Sequence, residues 1–407
     1  MPFKSAEEQM SILRRGVDQI LSESELLGKL KRSVQDNQPL RIKLGIDPTA
    51  VDVHLGHTVP LRKLRQFQDL GHHIILIMGN YTALVGDPSG RDETRTRLSA
   101  EAVTENAATY LEQVAKVIDL SRCEVRENGD WFSRMTFTDV LELTSKITMM
   151  RLLERDDFNN RIKEQKAVYL HECLYPLMQG WDSVQVKADV ELGGTDQLFN
   201  LHCGRDLQKD QGQEPQVAIT MPILVGTDGQ RRMGKSLGNY IGISESPNEM
   251  FGKLMSIADS LMQDYFELLT DIPSEEIADL LSLEAHPRDT KIRLSGTVVE
   301  NYYGSELADT AKSEFERRFA QNKLPTDIPE KFFSYPSGEK IAIVPFLSKE
   351  LGLASSGSEV RRLIQQGGVW VENPDNRLTD PHQEVSLCDG MLFGVGKRRV
   401  VRVRLNS

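Results

Sequence analysis

Residues 54–57 read HLGH, and residues 231–239 read RRMGKSLGN. His54 and His57 stand three apart, so on a helix their side chains share one face. Gly56 between them lets a ligand approach the backbone closely. Donors placed in this way suit a phosphate that gains charge during displacement. Taken alone, HxxH is more often an ordinary pair of histidines in the first turn of a helix. A zinc site is a weaker reading still, because no third ligand stands nearby. The second stretch follows the turn-like GTDG of residues 226–229 and reads as a mobile, basic loop. In it Arg232 and Lys235 would supply the positive charge that a pyrophosphate leaving group requires, although a basic loop by itself is usually a solvated surface. Tyr175, Gln179 and Asp182 are spaced by four and three and so project from one face of a single helix. Spacing alone favours a packed amphipathic helix there over a binding site.

These residues need elements to hold them. Leu40 to Ile46 alternates apolar Ile42, Leu44 and Ile46 with Arg41, Lys43 and Gly45, which predicts a strand. Leu61, Leu64, Phe67 and Leu70 recur at helical spacing, with Gly71 as the stop. Ile74 to Met78 is a short apolar run, as expected of a strand covered on both faces. Strand, helix and strand within about forty residues make a βαβ unit, so the fold class is α/β, a doubly wound, Rossmann-like parallel sheet. HLGH then lies at a strand-to-helix junction, where unpaired backbone N–H groups attract anions. The chain reads as mainly helical from Thr104 to Asp182 and strand-like at Val184–Leu192 and Gln216–Leu224. A second helical block runs from Pro247 to about Phe319, and a Pro-rich polar linker begins near Gln321. Ser356 to Val371 fits a helix followed by a strand, and the end, KRRVVRVRL, is strand-like and basic. The expected organisation is a catalytic domain over 1–240 with a helical insertion at about 105–170, a helical domain over 241–320, a linker over 321–340 and a small α+β domain over 341–407.

Composition limits the possibilities. Apolar content of 39% and charged content of 27% fit a globular protein, and no run of about 18 apolar residues predicts a membrane span. Cysteines at 123, 173, 203 and 388 form no CxxC, and the N-terminus lacks a secretory pattern, so the expectation is a reducing cytoplasm and no metal site. A net charge of -11 argues against coating nucleic acid non-specifically. From Leu351 onward, however, eight Lys/Arg face six Asp/Glu, a local basic excess. Arg361 and Arg362 on the expected helix, with Lys397 and Arg398 near the end, are candidate RNA contacts. A solvated helix face with an arginine-guarded edge strand accounts for them equally well.

HLGH followed about 180 residues later by a KMSKS-like loop on a βαβ frame resembles the paired signature of class I aminoacyl-tRNA synthetases. GIDPTAVDVHLGH, TALVGDPSGR, LYPLMQGWDSV and ELGGTDQLFN then fall in the order found in bacterial tyrosyl-tRNA synthetases of the KMSKS-type subgroup. The resemblance covers essentially the whole chain. It implies two steps: the tyrosine carboxylate attacks the α-phosphate of Mg-ATP, and tyrosyl then passes to the terminal ribose of tRNA-Tyr. Thr49, His54 and His57 are implied at the phosphates, with Arg91, Arg95, Arg232 and Lys235 on the pyrophosphate. Gly45, Asp47, Gly194 and Asp196 are implied on the ATP side. Asp87, Tyr175 and Gln179 would hold the substrate ammonium and Gln197 its carboxyl group. Asp182 would face the phenol hydroxyl, because phenylalanine would leave that carboxylate unpaired. The resemblance further implies a homodimer built near TSKITMMRLLERDDF, anticodon and variable-arm contacts from the 241–320 helices and the C-terminal domain, and no tightly bound cofactor.

The match departs from the pattern in places. Lys43 stands where many bacterial members have a substrate-contacting tyrosine, Arg232 and Gly234 replace Lys and Ser, Trp181 replaces Tyr, and Asn80-Tyr81 replaces Asp-Phe. A paralogue making an adenylate of a tyrosine analogue, and a non-catalytic RNA-binding factor, therefore stand as alternatives. The second is opposed by HLGH, Lys235, Asp182 and GGTDQ occurring together.

Overall fold

The computed structural model describes residues 3–48, 52–89, 99–319, 328–396 and 399–406. It comprises two compact units, residues 1–308 and residues 309–407.

In the first unit, α1 (Ala6–Arg14) and α2 (Glu23–Asp36) flank the short strand β1 (Gln19–Leu21). Ser5 and Ser22 cap the two helices by accepting first-turn N–H groups. Next come β2 (Arg41–Ile46), α3 (Leu55–Asp69) and β3 (His73–Met78), the βαβ unit that the apolar spacing predicts. Val59, Leu61, Leu64 and Phe67 give α3 its buried face, and Gly71 at φ 93 ends it. The turn α4 (Thr82–Val85) and helix α5 (Ala100–Val114) precede β4 (Cys123–Glu127). Short helices follow: α6 (Gly129–Phe132), α7 (Phe137–Thr144), α8 (Met149–Leu153) and α9 (Asp156–Lys163). Then α10 (Tyr175–Val186), β5 (Val190–Gly194), α11 (Leu198–Asp210) and β6 (Val217–Met221) complete the α/β layer.

The 6-stranded sheet has the order β1-β6-β5-β2-β3-β4. Neighbours from β6 through β4 are parallel, and β1 adds an antiparallel edge. The order reverses between β2 and β5, and a doubly wound sheet opens its ligand crevice at the carboxyl ends of strands at such a point. Strand-like Val184–Leu192 proves helical at its start: Val184 and Val186 belong to α10, and Lys187 at φ 47 ends it before β5 begins. The edge strands β1 and β4 escape sequence reading because each is short and half-exposed, without a two-residue alternation of burial.

Helices α12 (Pro247–Leu254), α13 (Met262–Leu269), α14 (Ser274–Leu280) and α15 (Pro287–Tyr303) fall in the same compact unit as the sheet, and α13 packs on α3. The division after residue 308 lies inside α16 (Ser305–Phe319), not at the expected edge near 320.

The second unit contains β7 (Glu330–Phe333), β8 (Lys340–Ala342), the turn α17 (Ile343–Pro345), α18 (Gly357–Gln365), β9 (Val369–Val371), β10 (Glu384–Ser386), β11 (Leu392–Val395) and β12 (Arg399–Leu405). Its 4-stranded sheet runs β7-β12-β11-β9, and β10 pairs with β8. Phe346, Val360, Ile364, Phe393 and Val403 form the core. Strand β7 corrects the expected linker: it pairs in parallel with β12 from Glu330 opposite Arg402 to Phe333 opposite Leu405. Its first three side chains are exposed and Phe333 alone packs against the core, so it shows no run or alternation of buried residues.

Candidate active site

A cleft of about 1250 Å³ opens over the carboxyl ends of β2, β5 and β6 and the N-terminus of α3. Gly45, Asp47, His54, Gly56, His57, Asp87, Tyr175, Gln179, Asp182, Gly194, Asp196, Gln197, Arg232 and Lys235 all line it. The Gly45 position faces open space, so the end of β2 presents bare backbone to the cleft.

His54 is the N-cap of α3, and its ring stacks on that of His57 with centroids 3.7 Å apart and 20° between planes. Burial pushes both imidazoles down, His54 to about 3 with a further push from His57, and His57 to about 4. Near neutral pH the pair is therefore uncharged and offers ring N–H donors, not cations. Buried Nδ1 of His54 has no protein partner. A Cβ on Gly56 would approach the His54 ring to 3.1 Å, so the glycine leaves room for the stack as well as for a ligand.

The basic loop is pinned to this helix start. Gly226 N–H donates to the Arg231 carbonyl and Met233 N–H to the Leu224 carbonyl, both at 2.8 Å, closing a hairpin. Buried Asn239 holds the tip: its Oδ1 accepts from Gly234 N–H at 2.9 Å, and its Nδ2 donates to Asp228 at 3.0 Å and to the Arg232 carbonyl at 3.1 Å. The basic segment is thus a hydrogen-bonded hairpin. The ammonium of Lys235 pairs with Asp52, another cleft residue, and Arg231 pairs with Asp228 at 2.9 Å.

The remaining polar wall is acidic. Asp182 is 3% exposed; its Oδ1 accepts from Trp131 Nε1 at 2.9 Å and its Oδ2 from Asn128 Nδ2 at 3.3 Å. Burial raises its pKa to about 7, opposed by the charge of Lys43 and by these two donors. The Tyr175 hydroxyl donates to Asp47 at 2.9 Å, and burial, then Asp47 and Asp87, hold that phenol protonated. Asp87 accepts from Gln197 Nε2 and from Ser89 N–H, both at 2.9 Å. Buried Asn200 ties the wall together, donating to Gln179 Oε1 at 2.9 Å and to Gln197 Oε1 at 3.0 Å. This needs α10 and α11 in close contact: a Cβ on Gly180 would lie 2.9 Å from the Gly204 nitrogen.

Lys43 is the exception among the expected substrate contacts. It is fully buried and does not line the cleft. Its ammonium is consumed by the Gln179 carbonyl, Ser183 Oγ and Glu191 Oε1, each at 2.8 Å. Thr49, Arg91, Arg95, Lys397 and Arg398 lie outside the described residues. Arg361 and Arg362 are exposed on α18, in the second unit. Trp181 faces away from the cleft into a separate cavity of about 680 Å³. Asn80 and Tyr81 brace Asn128: Asn80 Oδ1 accepts from Gly129 N–H at 2.7 Å, and Tyr81 N–H donates to Asn128 Oδ1 at 2.9 Å. Asn128, Trp131, Asn200 and Asn239 were not anticipated. Asn200 and Asn239 at least end the quoted motifs GGTDQLFN and RRMGKSLGN, whereas Asn128 and Trp131 carry no pattern of their own.

Among the described residues no group of three or more His, Cys, Asp or Glu could hold a metal ion, and no helix is long and apolar enough to cross a membrane.

Residues 35–320 match the family described as tRNA synthetases class I (W and Y). The chain is 50% identical to the tyrosine–tRNA ligase of Moorella thermoacetica, over 98% of this chain and 97% of that one. It is 49% identical to that of Carboxydothermus hydrogenoformans, over 99% of each. Among solved structures, a C-terminally truncated mitochondrial tyrosyl-tRNA synthetase of Aspergillus nidulans superposes with a TM-score of 0.63 at 22% identity, covering 78% of this chain and 94% of that one. The Archaeoglobus fulgidus tyrosyl-tRNA synthetase in complex with L-tyrosine gives 0.61 at 24%, covering 75% and 99%. These last two bear on the fold alone. With half of its residues identical to such relatives over nearly its full length, and the family matched over 35–320, the chain belongs to the tyrosine–tRNA ligases of the class I tRNA synthetase family.

Proposed function

We infer that the protein activates L-tyrosine with ATP and transfers the tyrosyl group to tRNA-Tyr. The observation that carries this reading is a buried carboxylate, Asp182, held by two donors in the same cleft as a neutral histidine pair and a basic hairpin. In the first step a tyrosine carboxylate oxygen bonds to the α-phosphorus of ATP, the bond to the bridging oxygen breaks, and pyrophosphate leaves with that electron pair. The attacking group is already an anion, so no protein nucleophile is needed. Catalysis then consists of positioning and charge stabilisation.

His54 and His57 donate to the α-phosphate oxygens, while Arg232 and Lys235 receive the pyrophosphate with Mg2+ carried by the nucleotide. Asp182 accepts the phenol hydroxyl. Asp87, Tyr175 and Gln179 surround the ammonium, Gln197 faces the carboxyl group, and Gly194 and Asp196 meet the ribose. In the second step the terminal ribose hydroxyl of tRNA attacks the tyrosyl carbonyl and AMP leaves.

The exposed surface supports an assembly of two copies. Phe137 and Met150 are 77% and 76% exposed on α7 and α8, beside exposed Leu141 and Met149, and Leu170, 73% exposed, and Tyr169 follow in the segment after α9. Solvated monomers rarely carry such a group of apolar side chains, which supports a homodimer formed through it. Helices α12–α15 and the basic face of α18 are assigned to tRNA, and the cytoplasm is the proposed compartment.

ATP–pyrophosphate exchange with tyrosine, phenylalanine, tryptophan and 3-substituted tyrosines tests the reading. Exchange that requires tyrosine and collapses in Asp182→Ala supports it. Absence of exchange with every amino acid, in folded protein, overturns it.

A further inference from the structure

Beneath the cleft floor lies an ion pair that the chemistry above does not use. Lys43 on β2 and Glu191 on β5 are both fully buried and meet at 2.8 Å. Burying such a pair is rarely worth more to stability than two apolar side chains of the same volume, so its presence calls for another explanation.

Every polar atom of the pair is engaged. The three ammonium protons of Lys43 go to Glu191 Oε1, Ser183 Oγ and the carbonyl of Gln179. Glu191 Oε1 also accepts from Gln179 Nε2 at 3.2 Å, while its Oε2 accepts from Ser183 Oγ at 2.9 Å and from Gln216 Nε2. The pair thus grips Gln179 twice, by its backbone carbonyl and by its side-chain amide.

The amide contact has a direction. An ionised carboxylate only accepts, so the Gln179 end that faces Glu191 must be the nitrogen. The oxygen is thereby turned the other way, where it accepts from Asn200 Nδ2 at 2.9 Å and keeps a second lone pair. A neutral partner at position 191 could donate or accept and would leave the amide free to flip. Lys43 in turn donates to the same Glu191 oxygen that the Gln179 amide meets, so the ammonium and the amide share one acceptor.

We propose that the Lys43–Glu191 pair is a positioning device for amino-acid recognition, fixing the Gln179 amide with its oxygen toward the substrate ammonium. This rests on the placement of Gln179 at the ammonium in the function proposed above. It gives Lys43 a role one layer behind the substrate, in place of the direct contact expected from its sequence position.

The test is the paired variant Lys43→Met/Glu191→Gln, which removes both charges at once and leaves no orphaned ion. Two ligands are compared: tyrosine, by its KM in ATP–pyrophosphate exchange, and 3-(4-hydroxyphenyl)propionate, which is tyrosine without its ammonium group, as an inhibitor. The expected result is a KM for tyrosine raised roughly tenfold, in line with losing one hydrogen bond to a charged group. The inhibition constant of the deaminated analogue and the KM for ATP should stay within about twofold of wild type. An unchanged KM for tyrosine overturns the proposal. So does an equal weakening of both ligands, which would mark a general loosening of the pocket. If the paired variant does not fold, Glu191→Gln alone, which keeps the shape and loses the charge, decides by the same two readouts. Gln179→Ala is run alongside: if it leaves the KM for tyrosine unchanged, the assignment of Gln179 to the ammonium fails. If Gln179→Ala raises that KM and the paired variant does not, only the role of the ion pair fails.

Discussion

Leu55 donates its backbone N–H to the carbonyl of Ile241 at 2.9 Å, and Ile243 returns a bond to Val53 at 3.0 Å. The histidine segment and the chain leaving the basic hairpin are therefore one short antiparallel bridge, centred on His54 and Gly242. Two motifs far apart in sequence share backbone, so the position of the hairpin and that of the α3 N-terminus are set together.

The first prediction concerns the pin of that hairpin. Asn239→Ala removes the acceptor of the Gly234 N–H and the donor to the Arg232 carbonyl, which releases the two residues flanking the cleft-facing Met233. Exchange kinetics should show a lowered kcat and a raised KM for ATP with the KM for tyrosine unchanged. The thermal midpoint should fall by the equivalent of about 1–3 kcal/mol, the usual cost of buried groups left unpaired.

How far the sequence carried this picture depended on periodicity. The β2–α3–β3 unit was legible because β2 alternates apolar with other residues, β3 is a continuous apolar run, and α3 repeats Leu61, Leu64 and Phe67 on one face. Strand β7 was not, because it is held by main-chain pairing to β12 with its first three side chains exposed. In the site, Asp182, Gln179 and the histidines were legible as motif residues. Their supports, Asn128, Trp131 and Asn200, come from three different segments and meet only through the fold. Lys43 was placed one layer too near the substrate, since alternation along β2 does not say which buried carboxylate waits beside it.

The pH dependence follows from Asp182. Its raised pKa of about 7 means that the folded state binds a proton which the unfolded chain has already lost above 3.8, so folding stability declines as pH rises from about 4 to 7. Lys43, Glu191, Asn128 and Trp131 face this carboxyl, and of these only Lys43 and Glu191 carry charge. Asp182→Asn removes this slope: the stability of wild type relative to the variant should shrink across that interval in urea titrations. Tyrosine binding needs the ionised acceptor, so kcat/KM for tyrosine in wild type should fall below about pH 7. A profile flat from pH 5 to 8 would contradict the assignment of Asp182 to the phenol.

The exposed apolar side chains give a third prediction. Phe137→Glu/Met150→Glu places two charges where the proposed dimer would bury them, at several kcal/mol per unpaired ion. Light scattering should report half the wild-type mass. An unchanged mass would move the interface elsewhere.

The histidine pair provides the last prediction. His54 and His57, with pKa values lowered to about 3 and 4, stay neutral while the unfolded imidazoles near 6.5 take up protons. The stability they confer is complete above about pH 6.5 and is lost as pH falls toward 4, so His54→Asn should flatten the acid limb of a denaturation series. Catalysis should behave differently. A neutral donor that is already in place loses nothing between pH 6 and 9, so exchange over that range should carry no limb that His54→Asn abolishes. Removing the donor should instead lower kcat at every pH, by about 100- to 1000-fold in His54→Ala, as for loss of one preorganised donor to a developing oxyanion. The KM for tyrosine should stay unchanged, because the contact forms only as charge builds on the phosphate. A limb near pH 6.5 in wild type that disappears in His54→Asn would mean that His54 acts as an imidazolium, and the neutral-pair account would fall.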